Sequence, residues 1–567
     1  REVLQEAALC VVQSGNETAQ LSMLKARFQD SSNPVATSLK TAKETTEQSE
    51  DKTLNNLLTT FYLRPGEGDK RGSVEFAHKS FGEYLFAERL MAAFEAWTEL
   101  DRRKRDRLDE QTVQNQIYDL LGFGGLSVEI VEYLFELLDE SKIDRVRLFQ
   151  RLHAFYERWC EGDFLDQAPT ENLPQQKFLQ LKEQNISIGL KQVDIFTGLN
   201  VLIILFKLHA AEQAEIYPQV SYFEIKSEIS FHPCKEENIK RVDNERLLKV
   251  IYHSDTLGRG TFAKVVGPHM SKANLYGAVL DNVTLFNVNL SGAYLSNVSF
   301  SKTNLSEANL SEANLFRSNL RGTTLNDVNF NKANLCKAVL ENANLSNSSL
   351  KSAILDDADL RNADLYRADL RNARLWCASL RDTALHETNF SNADLWSIKI
   401  NTTKLWGAKF NNANCAEASL IGSDFSGSLF FENSNFSGVN FTNANLSHTN
   451  FSNIALSSAN LSNTDFSNAN LSGANFDKAN LSYTNLSNAI LLGTQLSRAQ
   501  NLSNQQLEGK FPPLICRTSL PIELKSYQNR DCDRISAILK ERYPTDFKST
   551  DAVDDYINEN YPPSSLL

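Results

Sequence analysis

Between residues 271 and 500 the large apolar positions recur every five residues. Leu275, Leu280, Leu285, Leu290 and Leu295 open the series, and Leu471, Phe476, Leu481 and Leu486 stand near its end. Two places before each lies a small residue, as at Ala273, Ala278, Val283, Val288 and Ala293. Asn or Asp often separates the two, as in Ala308-Asn309-Leu310 and Ala363-Asp364-Leu365. A helix turns about 100° per residue, so a five-residue period would carry successive leucines round the axis instead of along one face. On a strand the side chains alternate, and an odd period would send neighbouring leucines to opposite sides of the sheet. One core is served only if the chain bends after each pentad, with the small residue sharing a narrow interior. The pattern predicts a solenoid.

The stretches Ala-Asn-Leu-Ser-Glu at 308–312 and Ala-Asp-Leu-Arg-Asn at 358–362 resemble the pentapeptide-repeat family, over about two fifths of the chain. The resemblance implies a right-handed quadrilateral β-helix with four pentads per coil, so that residues twenty apart stack. About eleven coils at ~4.8 Å would make a rod of roughly 55 Å. Each buried Leu or Phe contributes about 1.5–3 kcal/mol, enough for the core to hold without metal or disulfide. The large residues fall on multiples of five up to Phe430 and one place later at Phe436, Phe441 and Leu446. The doubled Phe430-Phe431 marks a single inserted residue, read as a bulge at a corner.

Ahead of the rod the spacing changes. Glu2 to Gln13 and Glu17 to Gln29 carry helical apolar patterns, and a polar stretch runs from Ser31 to Lys52. Phe61-Tyr62-Leu63 and Val74-Glu75-Phe76 are strand-like runs around a turn-rich tip at 65–72. Helices followed by one hairpin predict a winged helix. The run Phe76-Ala77-His78-Lys79-Ser80-Phe81-Gly82-Glu83-Tyr84-Leu85-Phe86-Ala87 resembles the motif that ends the winged helix of NACHT-type STAND ATPases. In that family the motif histidine contacts the phosphates of bound ADP, which implies a nucleotide-sensing role for His78. An imidazole can donate to a phosphate oxygen. The alternative for His78 is a local hydrogen bond at a strand-to-helix junction. Phe81, Glu83 and Tyr84 are assigned to helix packing.

The family's P-loop, G-x-x-x-x-G-K-[S/T], does not occur in this sequence, so ATP hydrolysis by the chain alone is not expected. The chain opens at Arg1 inside an apolar helical pattern and is read as a piece of something longer, whose upstream NACHT module would supply the ADP or ATP. Residues 100–260 read as mainly helical, with Val201–Phe206 in a core helix too short in apolar run to span a membrane. Leu257-Gly258-Arg259-Gly260-Thr261-Phe262-Ala263-Lys264-Val265-Val266 resembles a kinase glycine-rich loop, but the repeat begins within ten residues and leaves no room for the rest of a kinase. It is read as a linker.

Charge narrows the function. The whole chain carries 58 Lys plus Arg against 70 Asp plus Glu, a net of -12, but residues 271–505 hold 17 against 18. A nearly neutral rod is a poor mimic of duplex DNA and has no basic excess for binding nucleic acid. The eight cysteines (Cys10, Cys160, Cys234, Cys336, Cys377, Cys415, Cys516, Cys532) form no C-x-x-C pair, and are read as reduced, mostly buried thiols of a cytoplasmic protein. No metal site is expected.

Adding twenty to a residue number compares outward positions. Trp376 and Trp396 then share one column, Tyr366, His386 and Trp406 another on the opposite side, Arg361 and Arg381 a third, and Lys351 and Arg371 a fourth. The arginines are expected to face Asp359, Asp364 and Asp369 as solvated pairs. Exposed Trp, Tyr and Arg are interface residues, and the same rings could equally form a ladder that covers itself. Leu496, Leu502 and Leu507 end the repeat in a capping turn, and two short helices follow near Asp533–Arg542 and Asp551–Asn558.

The expected fold is a multidomain α + β chain. It comprises a winged-helix-like domain (1–100), an α-helical domain (101–262), a pentapeptide-repeat β-helix with its cap (263–509) and a small C-terminal helical segment (510–567). The expected function is that of a non-catalytic C-terminal portion of a STAND-type signalling ATPase with the rod as interaction or sensor arm. A DNA-mimicking topoisomerase-binding protein and an inert scaffold are the alternatives. Expected partners are the upstream nucleotide-binding module, a protein ligand on the solenoid and further copies of the chain in a homo-oligomer, with no membrane and no nucleic acid.

Overall fold

The computed structural model describes residues 1–15, 18–29, 63–65, 73–168, 171–216, 229–234, 243–426, 431, 434–542 and 549–561. They divide into two compact units, Arg1–Ala273 and Asn274–Leu567.

In the first unit, α1 (Glu2–Gln13) leads into β1 (Thr18–Gln20) and α2 (Leu21–Gln29), followed by β2 (Leu63–Pro65) and β3 (Ser73–Phe76). The three strands form an antiparallel sheet in the order β1-β3-β2, with Thr18 opposite Glu75 and Leu63 opposite Phe76. A helix was expected from Glu17. Thr18–Gln20 is instead extended, because pairing with β3 satisfies its backbone and overrides the local pattern. The polar stretch 31–52 and the hairpin tip at 66–72 lie outside the described residues.

A long helix, α3 (Lys79–Thr98), packs against α1 and α5 (Val128–Glu140), with Phe86, Phe94 and Trp97 buried. Between them α4 (Glu110–Leu121) starts at Asp109, whose carboxylate accepts from the Thr112 amide. Ser127, Asp144 and Asn172 cap α5, α6 (Arg145–Glu161) and α7 (Leu173–Glu183) in the same way. These helices surround α8 (Leu190–Ile216), where Val201 to Phe206 are all buried. Gly198 is required there, since a Cβ would lie 2.0 Å from the Trp159 ring. Among the described residues Leu190–Gln213 is long and apolar enough to cross a membrane, but 83% of that window is buried within the protein, as a core helix would be. The kinase-like string is a turn at Gly258–Gly260 between α9 (Arg246–Asp255) and α10 (Thr261–Val265), with Lys264 on a helix.

The second unit is built from twenty-residue coils. Asn274 bridges Tyr294, which bridges Asn314, in parallel, and the same step recurs at each five-residue position. Each side contributes about one residue pair between corners, so isolated bridges replace long strands. Leu280 N donates to Ser299 O at 2.7 Å and Ser299 N to Ala278 O at 2.9 Å, which ties coil to coil. Within each pentad the corner is a β-turn, as where Ala278 N donates to Leu275 O at 3.0 Å with Gly277 left-handed at φ 66°. The small interior residue is often Thr, and its hydroxyl donates to the carbonyl of the preceding coil: Thr323 to Phe300 at 2.8 Å, Thr383 to Leu360 at 2.8 Å. The Asn or Asp before each Leu accepts from the amide two residues on, as from Ser311 to Asn309 at 3.1 Å.

The register fault is present. Bridges run from Asn414 to Asn435, Ser419 to Asn440 and Asp424 to Asn445, a step one residue longer, before the twenty-residue step resumes at Asn435 to Ala455. Phe431 is buried against Phe410 and Phe451. Phe430 lies outside the described residues.

Beyond the repeat, α11 (Asn504–Leu507) turns under the last coil with Leu507 buried. The chain then continues the solenoid: β5 (Leu514–Cys516) pairs in parallel with β4 (Ile490–Leu492). Two helices follow, α12 (Ile535–Arg542) and α13 (Thr550–Asn560), sharing a core with the strands through Ile535, Leu539, Val553, Ile557 and Tyr561.

Candidate interaction surfaces and the His78 pocket

His78 ends the turn after β3 and precedes α3 with an extended backbone, φ -132° and ψ 129°. Its ring is exposed and does not cap the helix. It borders an open pocket of about 530 Å³ with Ala77, Ser80, Phe81, Tyr84 and Tyr133. Lys79 and Ser80 are exposed beside it, and the motif from Phe81 onward packs against the helices. Tyr84 meets Tyr133 edge-on at 5.7 Å, Phe81 meets Phe76 at 6.0 Å, and buried Glu83 accepts from Ser127 Oγ. A Cβ on Gly82 would stand 2.8 Å from the Phe76 ring, so glycine lets the strand close on the helix.

The first unit also holds a buried ionic cluster that the sequence pattern did not reveal. Arg27 on α2 donates to Glu6 on α1 at 2.5 Å and, through both Nη atoms, to Asp119 on α4 at 2.9 and 2.8 Å. Arg89 on α3 reaches Glu6 at 2.7 Å, and Lys177 on α7 reaches Asp119 at 2.7 Å. Burial raises the Glu6 carboxyl, but Arg27 and Arg89 outweigh it and hold it low; Arg27 and Lys177 do the same for Asp119, more strongly. Five helices share one set of charges.

On the rod, Trp376, Trp396 and Trp406 are 40%, 44% and 59% exposed. Trp376 and Trp396 meet edge to face at 6.4 Å, so that pair does cover itself in part. Trp406 has no such ring partner among the described contacts, and His386 and Tyr366 lie half-buried in its column. Arg367 stacks on Tyr366 at 4.8 Å and pairs with Glu387 at 2.7 Å. Arg374, which the sequence reading passed over, stacks on Trp376 at 4.7 Å and pairs with Asp356 at 2.6 Å. Arg361 and Arg371 hold Asp359 and Asp369 at 2.6 and 2.7 Å. Asp364 was expected to face an arginine; its carboxylate instead accepts from the Tyr366 amide at 2.9 Å, the local turn bond of the repeat. Arg381 makes no ion pair among the described residues.

The reading of eight reduced thiols is corrected at two positions: Cys516 and Cys532 form a disulfide. The Ile515 amide donates to the Asp531 carboxylate at 2.9 Å and the Asp531 amide to Ile515 O at 3.0 Å, which sets Cys532 beside Cys516. Sixteen residues separate them, a spacing with no signature of its own. The cytoplasmic reading loses the support it drew from those two thiols. Burial pushes the remaining Cys10 and Cys160 thiols up to about 12. Among the described residues no group of three or more His, Cys, Asp or Glu could hold a metal ion.

Eight matches to the model of pentapeptide repeats fall between residues 269 and 509, leaving 396–402 and 433 unmatched. The second unit is built of pentapeptide repeats. Solved structures, pentapeptide-repeat proteins among them, align with it. HetL, from the cyanobacterium Nostoc sp. Strain PCC 7120 and involved in heterocyst differentiation regulation, is 24% identical over 43% of this chain and 96% of its own, with a TM-score of 0.17. QnrB1, a plasmid-mediated fluoroquinolone resistance protein, is 24% identical over 36% of this chain and 83% of its own, TM-score 0.18. A thylakoid-lumen protein of Arabidopsis thaliana is 25% identical over 23% and 68%, TM-score 0.10. No curated protein matches the chain.

Proposed function

We propose that this chain is the non-catalytic C-terminal portion of a STAND-type signalling ATPase, with residues 1–100 as its winged helix, 101–262 as its helical domain and the pentapeptide-repeat β-helix as a protein-interaction arm. The observation that carries the proposal is His78. It is exposed with Lys79 and Ser80 at the N-terminus of a twenty-residue helix, beside an open aromatic pocket, while Gly82, Glu83, Leu85, Phe86 and Ala87 of the same motif are buried. The sheet order β1-β3-β2 with a helix on either side of β1 supports the winged-helix reading. The helix N-terminus favours an anion, and an imidazole with Lys79 and Ser80 beside it suits a phosphate. The nucleotide would be held by an upstream NACHT module, from which ADP release permits oligomerisation in the cytoplasm.

The test is ADP retention by the chain joined to its nucleotide-binding module. His78→Ala should release ADP faster, and unchanged retention counts against the sensor role. A DNA-mimicking rod is not favoured, because its outward columns mix signs. Asp281, Arg321, Glu341, Arg361 and Arg381 share one column, and Arg321 and Arg361 both approach Glu341. An inert scaffold predicts that replacing Trp376, Trp396 and Trp406 by Ser abolishes no interaction.

A further inference from the structure

We propose that one corner of the rod is a docking site for an acidic peptide segment carrying an aromatic anchor. Trp376 and Trp396 stand on one flank of that corner, and Lys399 and Arg381 on the other. The proposal rests on the rod's being an interaction arm and does not depend on the role of His78.

The backbone places these four side chains together. Cys377 N donates to Trp396 O at 3.1 Å, Leu380 N donates to Lys399 O at 2.7 Å, and Ser379 bridges Lys399 in parallel. The two tryptophans therefore lie on consecutive coils just before the corner, and Lys399 lies just after it. Arg381 follows Leu380 on the same side as Lys399.

Three observations point to a ligand. First, Lys399 breaks the local rule of the repeat. Its position, the one before the buried large residue, is where Asn309, Asn329, Asp359 and Asp369 accept the amide two residues on. Lysine has no acceptor to offer. The Asn401 side chain is turned to other use, accepting from Ser419 Oγ and the Ile421 amide in the next coil. The match to the repeat model lapses at 396–402, over this same corner. The Lys399 backbone holds its coil-to-coil bonds, but its ammonium has no hydrogen bond or ion pair among the described residues.

Second, the two cations are uncompensated. Arg361, Arg367, Arg371 and Arg374 each hold a carboxylate, whereas Arg381 and Lys399 have no ion pair among the described residues. Two carboxylates close by in the sequence are engaged otherwise: Asp382 accepts from Thr402 Oγ1 and Asp394 from Asn414 Nδ2. Third, the indoles are exposed although polar residues would satisfy the fold, and Arg374 stacked on Trp376 makes a flat platform already neutralised by Asp356. Two free cations beside an aromatic ledge match a short acidic segment with an aromatic side chain. Nucleic acid is a poorer fit, since its affinity comes from many neutralised phosphates and the rod is balanced in charge.

The test uses the full chain and a fluorescein-labelled copolymer of glutamate and tyrosine, with polyglutamate, polylysine and oligo-dT as comparisons, read by anisotropy. Saturable binding of the copolymer, tighter than of polyglutamate and weakened at least tenfold by Arg381→Glu with Lys399→Glu, is expected. Trp396→Ser should weaken it severalfold, while Trp406→Ser on another side leaves it unchanged. All four changes are at exposed positions, so circular dichroism should be unaltered. Absence of saturable binding overturns the proposal, as does binding indifferent to the charge reversals or a preference for oligo-dT. None of these outcomes touches ADP retention, so the His78 reading stands or falls separately.

Discussion

Replacing Arg27 with Met removes the one cation that lies between two carboxylates of the first unit. Arg27 is 7% exposed and Glu6 1%. Their contact at 2.5 Å and the paired contacts to Asp119 at 2.8 and 2.9 Å are all lost in the variant. Methionine fills part of the volume, so the cost is mainly electrostatic. Glu6 keeps only Arg89, and Asp119 keeps only Lys177. Breaking a buried pair from one side typically costs about 3–5 kcal/mol, which for a unit of this size lowers the melting temperature by on the order of ten degrees. Adding Glu6→Gln removes the stranded charge and should recover part of the loss.

The sign of the pH dependence follows from the same contacts. Glu6 and Asp119 are held below their ordinary values, so the unfolded chain binds their protons first. The stability they confer is complete above about pH 4 and drains away as pH falls through their folded-state values. Arg27→Met should therefore be fully damaging at pH 7 and less so near pH 2. Amide exchange on α1 and α4, read by mass spectrometry at both pH values, measures this directly. A loss below about 1 kcal/mol at pH 7, or a double variant no better than the single one, would refute the reasoning.

Burial pushes the His209 and His269 imidazoles down to about 4. The unfolded chain protonates first, near 6.5, so urea midpoints of the first unit should fall between pH 6.5 and 4, by up to about 3 kcal/mol per histidine, and His209→Gln should flatten that slope. Gly493 sits at a left-handed corner, φ 64°, where a Cβ would be 2.7 Å from the Tyr561 ring. Asn occupies the equivalent corner at Asn372 and Asn392 without strain of its own, so Gly493→Asn should cost about 1–3 kcal/mol through the ring alone and speed exchange in α13 but not in the coils. Reducing the Cys516–Cys532 disulfide frees a loop of sixteen residues, worth about 3 kcal/mol in the chain-entropy account. Limited proteolysis with and without reductant should open 510–561 and spare the repeat; equal cleavage would show that the core around Leu539 and Ile557 suffices.

The repeat was legible because each pentad solves its own problem: a large residue, a small neighbour and a corner, satisfied within twenty residues of chain. The first-unit helices were legible where one face is apolar, as at Val128–Glu140 and Arg145–Glu161. What escaped depends on partners far along the sequence. The strand Thr18–Gln20 exists because of Ser73–Glu75, the ionic cluster joins residues from Glu6 to Lys177, and the disulfide is fixed by a bond between Ile515 and Asp531. Residues 510–561 offered no chemistry by themselves because their fold is completed by the rod: Tyr561 lies over Gly473 and Gly493 and donates to Asn453 at 3.3 Å, spanning three coils.

A solenoid separates the two kinds of information unusually well. Inside, Leu and Phe with small partners such as Ala, Val, Ser and Thr repeat because they fill the shaft and satisfy its carbonyls. Outside, two positions remain under structural demand: the left-handed corner residue, and the residue before the buried one, where Asn and Asp close the turn. Departures there are the places to look. Val339, Ile354 and Ala384 depart from it with no tryptophan near them in sequence, whereas Arg374, Lys399, Lys404 and Lys409 depart from it within three residues of Trp376, Trp396 or Trp406. Where a residue type gives up the bond that the fold asks of it beside an exposed indole, the outer surface is specified by something other than the fold.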